Sequence, residues 1–249
     1  MITRTALEKS IVGNTYASVE GDLFEVTQYI GKGYYEFVFQ DGHTQRARRG
    51  HIESLRVKNR HHPSVCGIGY IGIGKYSSRE NGVKTKAYVT WSHMLQRCYN
   101  PKSLKDKSYS DCIVCEEWHN FQNFAEWFYS NYYEIEGVTM SIDKDIKFEG
   151  NKIYSPSTCI IVPLEINTFF ETNSTSKDKE LHVGVFLNDC GNYKVLVGKN
   201  YVGTYKSYDE AILSYCEERN KKIKEFLDKY DLPIEIQKIL LYNTRVEKL

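Results

Sequence analysis

Between residues 116 and 132 the chain sets Trp118, Phe121, Phe124, Ala125 and Phe128 at spacings of three and four. That spacing gathers all five onto one stripe of an α-helix and onto no single face of a strand. A stripe so aromatic must be buried, so the segment demands a packed core around it. Upstream, YVTWSHMLQRCYN (88–100) repeats the pattern, with Trp91, Leu95 and Cys98 on one face, Met94 beside it and a stop at Asn100-Pro101. Strand-like, period-2 segments lie on either side of this helical block, so the expected class is α+β with separate blocks rather than alternating βαβ units.

The first 60 residues carry DLFEVTQYI, YYEFVFQDG and HTQRARRGHIESLRV, broken by Gly31-Lys32-Gly33 and Asp41-Gly42. These are strands joined by hairpin signals, and a small, SH3-like antiparallel β-barrel over 1–60 is expected. Arg46, Arg48 and Arg49 form its basic cluster, either a solvated strand edge or a set of phosphate contacts. Residues 61–87 read as a linker. Its GIGYIGIG run opens no amphipathic helix and sits in no βαβ unit, which argues against a dinucleotide loop. The His61-His62 pair is polar surface or a metal-ligand pair.

A basic loop and short strand (103–115) separate the two helices, and STSKDKE (174–180) reads as a second linker after an 88–173 domain. From 181 to 249 the pattern is three strands and a long helix: LHVGVFLND, GNYKVLVGK, NYVGTYKS, then SYDEAILSYCEERNKKIKEFLDKY. In that helix Ala211, Ile212, Tyr215, Ile223 and Phe226 share a face, and Ser207 with Glu210 has the spacing of a capping box.

Net charge is +1, so any nucleic-acid surface must be local. The 20 tyrosines suit base stacking, strands and interfaces alike. No apolar run is long enough to span a membrane, the N-terminus lacks a signal-peptide h-region, and seven cysteines is an odd number. The expectation is a cytoplasmic, non-secreted protein with reduced thiols.

The span from Trp91 to Phe170 resembles phage HNH endonucleases of the His-Me finger class. The residues that carry the likeness begin with Trp91, Met94, Arg97-Cys98-Tyr99, Asn100-Pro101, Val114-Cys115-Glu116-Glu117-Trp118, Phe121, Phe124 and Trp127. Ile142-Asp143-Lys144-Asp145, Gly150-Asn151, Tyr154-Ser155-Pro156 and Thr158-Cys159 follow. The 181–230 module, through Gly184-Val185, NYKVLV and VGTYKSYDEAILSY, resembles the three-stranded DNA-binding domain of integrase arms and ethylene-response factors. Together the two halves resemble a homing-type endonuclease with a degenerate catalytic motif.

The resemblance implies a ββα-metal core that hydrolyses phosphodiesters of double-stranded DNA with Mg²⁺ or Mn²⁺. It puts Asp143 and Asn167 at the metal-ligand positions, Lys144 at the place of the general-base His and Thr158 at that of the loop-bracing Asn. A hard divalent ion accepts such oxygen ligands. Lysine has a reference pKa of about 10.4 and two flanking aspartates keep it charged, which suits a phosphate contact better than proton abstraction. In a continuing strand Asp143 and Asp145 would share one face and Lys144 the other, leaving Asp145 as a substitute base or second ligand. The implied DNA contacts are Lys194, Lys199, Lys206 and Tyr193, with Tyr201 and Tyr205 near bases. Cys112-x-x-Cys115 has the spacing of half a structural Zn²⁺ site, with Cys98 and Cys159 or His93 and His119 as the partner pair, and core packing is the other reading. Beside the nuclease stand a non-catalytic DNA-binding protein and a binder of a host or defence protein or a small nucleotide.

Overall fold

The structure, a computed structural model, describes residues 11–102, 111–171, 181 and 184–243. The basic loop at 103–110, the linker at 174–180 and the start of the strand expected from 181 therefore lie outside the described residues. The described chain is mixed α and β, with six helices and several small sheets. It divides into two compact units, Met1–Ser110 with Glu116–Glu126, and Asp111–Cys115 with Trp127–Leu249.

In the first unit, β1 (Thr15–Ala17), β2 (Leu23–Gly31), β3 (Tyr34–Phe39) and β4 (Thr44–Arg48) form an antiparallel meander in chain order. Alternation buries Phe24 and Val26 on β2 and Tyr35, Phe37 and Phe39 on β3, all on one face. The sheet is open, which corrects the expected barrel: no β1–β4 pairing closes it among the described strands. β1 has only three residues, and the short helix α1 (Arg49–Glu53) follows β4 and seals the core with fully buried Ile52. β4 is thus an edge strand.

The segment expected as a linker is packed. Tyr70 donates its N–H to His119 O (2.9 Å) and accepts from Phe121 N–H (2.9 Å). The Gln122 side-chain amide donates to Ile71 O and Tyr76 O, and its oxygen accepts from Tyr76 N–H. The glycines of GIGYIGIG serve this contact. A Cβ on Gly69 would lie 2.4 Å from Leu95 Cδ1, one on Gly72 2.1 Å from Asn120 Oδ1, and one on Gly74 2.4 Å from Gln122 Oε1. Next in the chain, short β5 (Arg79–Glu80) and β6 (Val83–Lys84) lead into α2 (Lys86–Tyr99), which Thr85 caps by accepting from Tyr88 N–H. As the periodicity requires, α2 buries Trp91, Met94, Leu95 and Cys98. Trp91 Nε1 donates to Trp118 O at 2.7 Å. Trp118 sits in a 3₁₀ turn (Glu116–His119) ahead of α3 (Phe121–Asn131), whose Phe121, Phe124, Ala125 and Phe128 are all buried.

The second unit holds the parallel pair β7 (Ile113–Val114) and β9 (Ile153–Tyr154), and the antiparallel pair β8 (Met140–Asp143) and β10 (Ile160–Pro163). Helix α4 (Leu164–Phe170) follows β10 directly. The sheet β11 (Val185–Leu187), β12 (Tyr193–Val197) and β13 (Asn200–Tyr205) then leads to α5 (Tyr208–Lys229) and α6 (Ile234–Tyr242). One core joins Ile160, Val162, Ile166 and Phe169 to Val195, Val197, Ala211, Tyr215, Ile223 and Phe226. The segments on either side of 173–181 therefore share a core. Ser207 is the N-cap of α5, but its side chain makes no capping hydrogen bond, so the expected capping box does not form.

Candidate functional site

β8 and β10 pair with Ile160 opposite Asp143 and Pro163 opposite Met140, and α4 packs back onto both strands. This is a ββα arrangement with Asp143 at the end of its first strand and Asn167 on its helix. Both side chains are buried, at 6% and 3% exposure.

Past Asp143 the strand stops. Asp143 Oδ1 accepts from the backbone N–H of Asp145 (2.8 Å) and of Ile146 (2.6 Å), which turns the chain out of the sheet. The face alternation expected through Lys144 and Asp145 is therefore overturned: Lys144 Nζ lies 2.6 Å from Asp145 Oδ2. The ammonium also sits 5.6 Å from the centre of the buried Tyr154 ring. Lys144 is 6% exposed, while the Asp145 side chain is 42% exposed.

Several side chains hold this turn. Asn151 Nδ2 donates to Lys144 O (2.9 Å) and Ile153 O (2.7 Å), and Asn243 Nδ2 on the last helix donates to Ile146 O (2.8 Å). Thr158 Oγ1 donates to Ile153 O at 2.7 Å, so it braces the loop from the position the resemblance implied. The bracing by Asn151 and Asn243 was missed from sequence. Gly150-Asn151 reads only as a turn, and nothing local ties Asn243 to residue 146.

Burial raises the Asp143 carboxyl from its ordinary 3.8 to about 6; the two N–H donors oppose this and the Asp145 charge adds to it. For Lys144, burial works against the charge. The hydrogen bond to Asp145 and the charges of Asp145, Cys112 and Asp143 prevail and raise its pKa above the ordinary lysine value. Lys144 is thus a protonated, ion-paired group and not a proton acceptor at neutral pH.

The Asn167 side-chain amide donates to Glu171 Oε1 at 2.7 Å, while its Oδ1 is buried with no hydrogen-bond partner. A buried acceptor left without a donor costs about 1–3 kcal/mol, so its retention calls for an explanation. Asp143 Oδ1 is taken up by two N–H groups, and Asp143 Oδ2 and the unpartnered Asn167 Oδ1 remain as candidate oxygen ligands. Both are hard oxygens of the kind Mg²⁺ and Mn²⁺ accept, so the residues present fit such an ion.

The candidate zinc ligands are placed differently. No three of Cys98, Cys112, Cys115 and Cys159 bring their sulfurs within 4.8 Å of one another. No disulfide joins any of the seven cysteines. Burial pushes the Cys159 thiol up to about 12, the behaviour of a packed thiol. Among the described residues the one such group of three His, Cys, Asp or Glu is Glu20, Asp22 and His62, which sequence reasoning did not assemble. There His62 Nδ1 lies 3.0 Å from Asp22 Oδ1, and Lys58 Nζ is 3.5 Å from Glu20 Oε1.

The candidate DNA contacts separate into two kinds. Arg46 pairs with Glu36 (3.0 Å), Arg49 with Glu53 (2.7 Å), and the Arg48 guanidinium lies over Tyr34 at 5.3 Å. These arginines have partners along the β4 edge. On the C-terminal sheet, Lys194, Lys199 and Lys206 are exposed, and Lys194 Nζ sits 5.8 Å from the Tyr201 ring centre. Tyr193 corrects the expectation. It shares the face of buried Val195 and Val197, against α5, and its ring is 5.3 Å from that of Tyr208. Tyr205 likewise bonds Ser214 Oγ at 2.6 Å, which leaves Tyr201, 60% exposed, as the tyrosine of the open face.

No helix among the described residues is long and apolar enough to cross a membrane. Comparisons with protein-family models, with curated proteins and with solved structures found no match to this chain.

Proposed function

We propose that the chain is an HNH-like, divalent-metal-dependent DNA endonuclease that works in the cytoplasm of a phage-infected bacterial cell. The observation that carries this reading is the ββα unit in which buried Asp143 ends the first strand and buried Asn167 leaves an unpartnered Oδ1 on the helix. Asp143 and Asn167, through the carboxylate and the unpartnered amide oxygen, are the residues that would hold Mg²⁺ or Mn²⁺. Such an ion, when bound, neutralises phosphate charge and acidifies water. Lys144, already protonated and tied to Asp145, takes no proton; it keeps Asp145 in place and adds positive potential. Asp145, the solvent-facing one of the two carboxylates, is the proton acceptor. The outer face of β11–β13, with Lys194 and Tyr201, lies against duplex DNA in the manner of the integrase-type domain it resembles, with Lys199 in the β12–β13 turn and Lys206 past the end of β13 reaching phosphates beside it.

One observation favours a second reading, a DNA-binding protein that no longer cuts: the group in the general-base position is a buried ammonium already in an ion pair. The two readings part on a cleavage assay with plasmid and phage genomic DNA, in Mg²⁺, Mn²⁺ or EDTA, with Asp143→Asn alongside. Metal-dependent cutting lost in Asp143→Asn supports the nuclease. Salt-sensitive DNA binding with no cutting supports the second reading. Cutting retained in Asp143→Asn refutes the assignment of the site.

A further inference from the structure

The second unit contains a cavity of about 420 Å³ between α4, the β12–β13 hairpin and α5, lined by none of Asp143, Lys144, Asp145 or Asn167. A volume of this size suits a small organic molecule. Its floor is apolar: Phe169 and Phe226, with ring centroids 5.3 Å apart and edge to face, and Val197 beside them. Gly198 makes the hairpin corner at φ +61, and a Cβ there would just reach Phe169 at 3.7 Å, so the bare backbone keeps this end of the cavity wide.

The charges around the opening are mostly answered within the protein. Glu165 takes hydrogen bonds from Lys229 and Tyr230, and these hold its carboxyl below the usual range. Glu218 faces Lys221 at 3.6 Å, and Lys222 pairs with Glu225 at 3.0 Å while lying over the Phe226 ring. Lys199 is different. It is exposed on the hairpin, it lines the cavity, and it has no ion pair among the described residues. The cavity thus joins an aromatic floor to a single uncompensated cation at its rim.

We infer that this cavity binds a small molecule with a planar ring and one anionic group, the ring lying against Phe169 and the carboxylate or phosphate meeting Lys199. Apolar area drives entry and the charge orients the ligand. A hydroxyl on Thr168 and the amide of Asn200 stand in the same lining as further polar contacts.

Titration calorimetry and amide NMR on the full chain in EDTA test this, so that no metal chemistry at Asp143 enters the readout. The probes are adenosine monophosphate for a phosphate ligand and indole-3-acetate for a carboxylate one, each beside its neutral counterpart, adenosine or indole-3-acetamide. Saturable binding of either anion is expected, with amide shifts centred on 198–202. Lys199→Glu should weaken it about tenfold to a hundredfold, the scale of one charge-assisted contact. Thr168→Trp, at an exposed rim position, should block it while melting stays as in wild type, and Asp143→Asn should leave it unchanged. The preferred anion identifies the ligand's acid group. Absence of saturable binding by both anions overturns the inference, as does binding that both rim variants leave intact or that the neutral counterparts match.

Discussion

Replacing Asp143 by Asn is expected to stabilise the metal-free protein at neutral pH. The folded-state carboxyl titrates at about 6 rather than 3.8, chiefly because it is buried. Below about 3.8 the group is protonated in both folded and unfolded chains and costs nothing. As pH rises through the window between 3.8 and about 6, the unfolded chain releases the proton while the folded chain keeps it, so stability falls. Above that window the folded protein carries the full cost of a buried anion, about 3 kcal/mol at ~1.4 kcal/mol per pKa unit. Asparagine has no ionisation to suppress and keeps an Oδ1 that can accept from the N–H groups of Asp145 and Ile146. Its new N–H₂ must find an acceptor, which takes back about 1 kcal/mol or more. The net expectation is a gain of about 1–3 kcal/mol at neutral pH, several degrees in Tm for a chain of this size. Urea titrations in EDTA at a series of pH values, on both proteins, measure it directly. Added Mg²⁺ or Mn²⁺ should then raise wild-type stability and not that of the variant, because an ion that binds only the folded state adds its binding free energy. A stability difference between the two proteins that stays constant across the window would refute the reasoning.

Three further outcomes are expected. Gly72→Ala combines φ +67 with a Cβ 2.1 Å from Asn120 Oδ1 and should cost about 2–4 kcal/mol in chemical denaturation. Gly82→Ala, at φ +80 with nothing within 4 Å, should lose only the backbone part, about 1–2 kcal/mol. If the outer face of the C-terminal sheet meets DNA, Lys194→Ala should flatten the slope of log affinity against log salt by about one, read by fluorescence anisotropy. Tyr193→Ala, on the helix side, should lower Tm and leave that slope alone. Phe121→Ala, which empties a fully buried site between Trp91 and Tyr88, should cost about 3–5 kcal/mol in thermal or urea unfolding.

What could be read from the sequence followed the range of the interactions involved. Trp91, Leu95, Cys98 and the Trp118–Phe128 stripe were legible because a helix repeats its environment every three or four residues, so burial is written into neighbours. In the N-terminal and C-terminal sheets β2 to β4 and β11 to β13 were legible for the same reason at period two, whereas β1 was not read and HTQRARRGHIESLRV, expected as strand throughout, turns helical at Arg49. Helix α6 escaped assignment although Pro233 at its N-cap and the apolar Ile236, Ile239 and Leu240 carried the signal. The segment that carries the glycines at 69, 72 and 74 was read as a linker. Their reason is the bulk of Leu95, Asn120 and Gln122 pressed against the backbone, which no local pattern shows. Sheet closure failed as an expectation because it depends on whether a three-residue first strand can reach the fourth, and Ile52 of α1 fills that end of the core instead.

The site itself divides along the same line. The resemblance put Asp143 on the first strand of the ββα unit, but neither the end of that strand at Asp143 nor the direction of Lys144 was readable. Alternation holds only while the backbone stays paired, and the Asp143 carboxylate competes for the N–H groups of Asp145 and Ile146 that the ladder would need. One side chain thereby sets three properties: it bends the strand, it uses one of its own oxygens, and it brings Lys144 within reach of Asp145. A cation held by Asp143 and Asn167, as proposed, would relieve both the cost of the buried Asp143 anion and that of the unpartnered Asn167 oxygen. Measured ion affinity should accordingly rise with pH through the window in which Asp143 loses its proton, and that coupling separates a working metal site from a hairpin that merely carries charge.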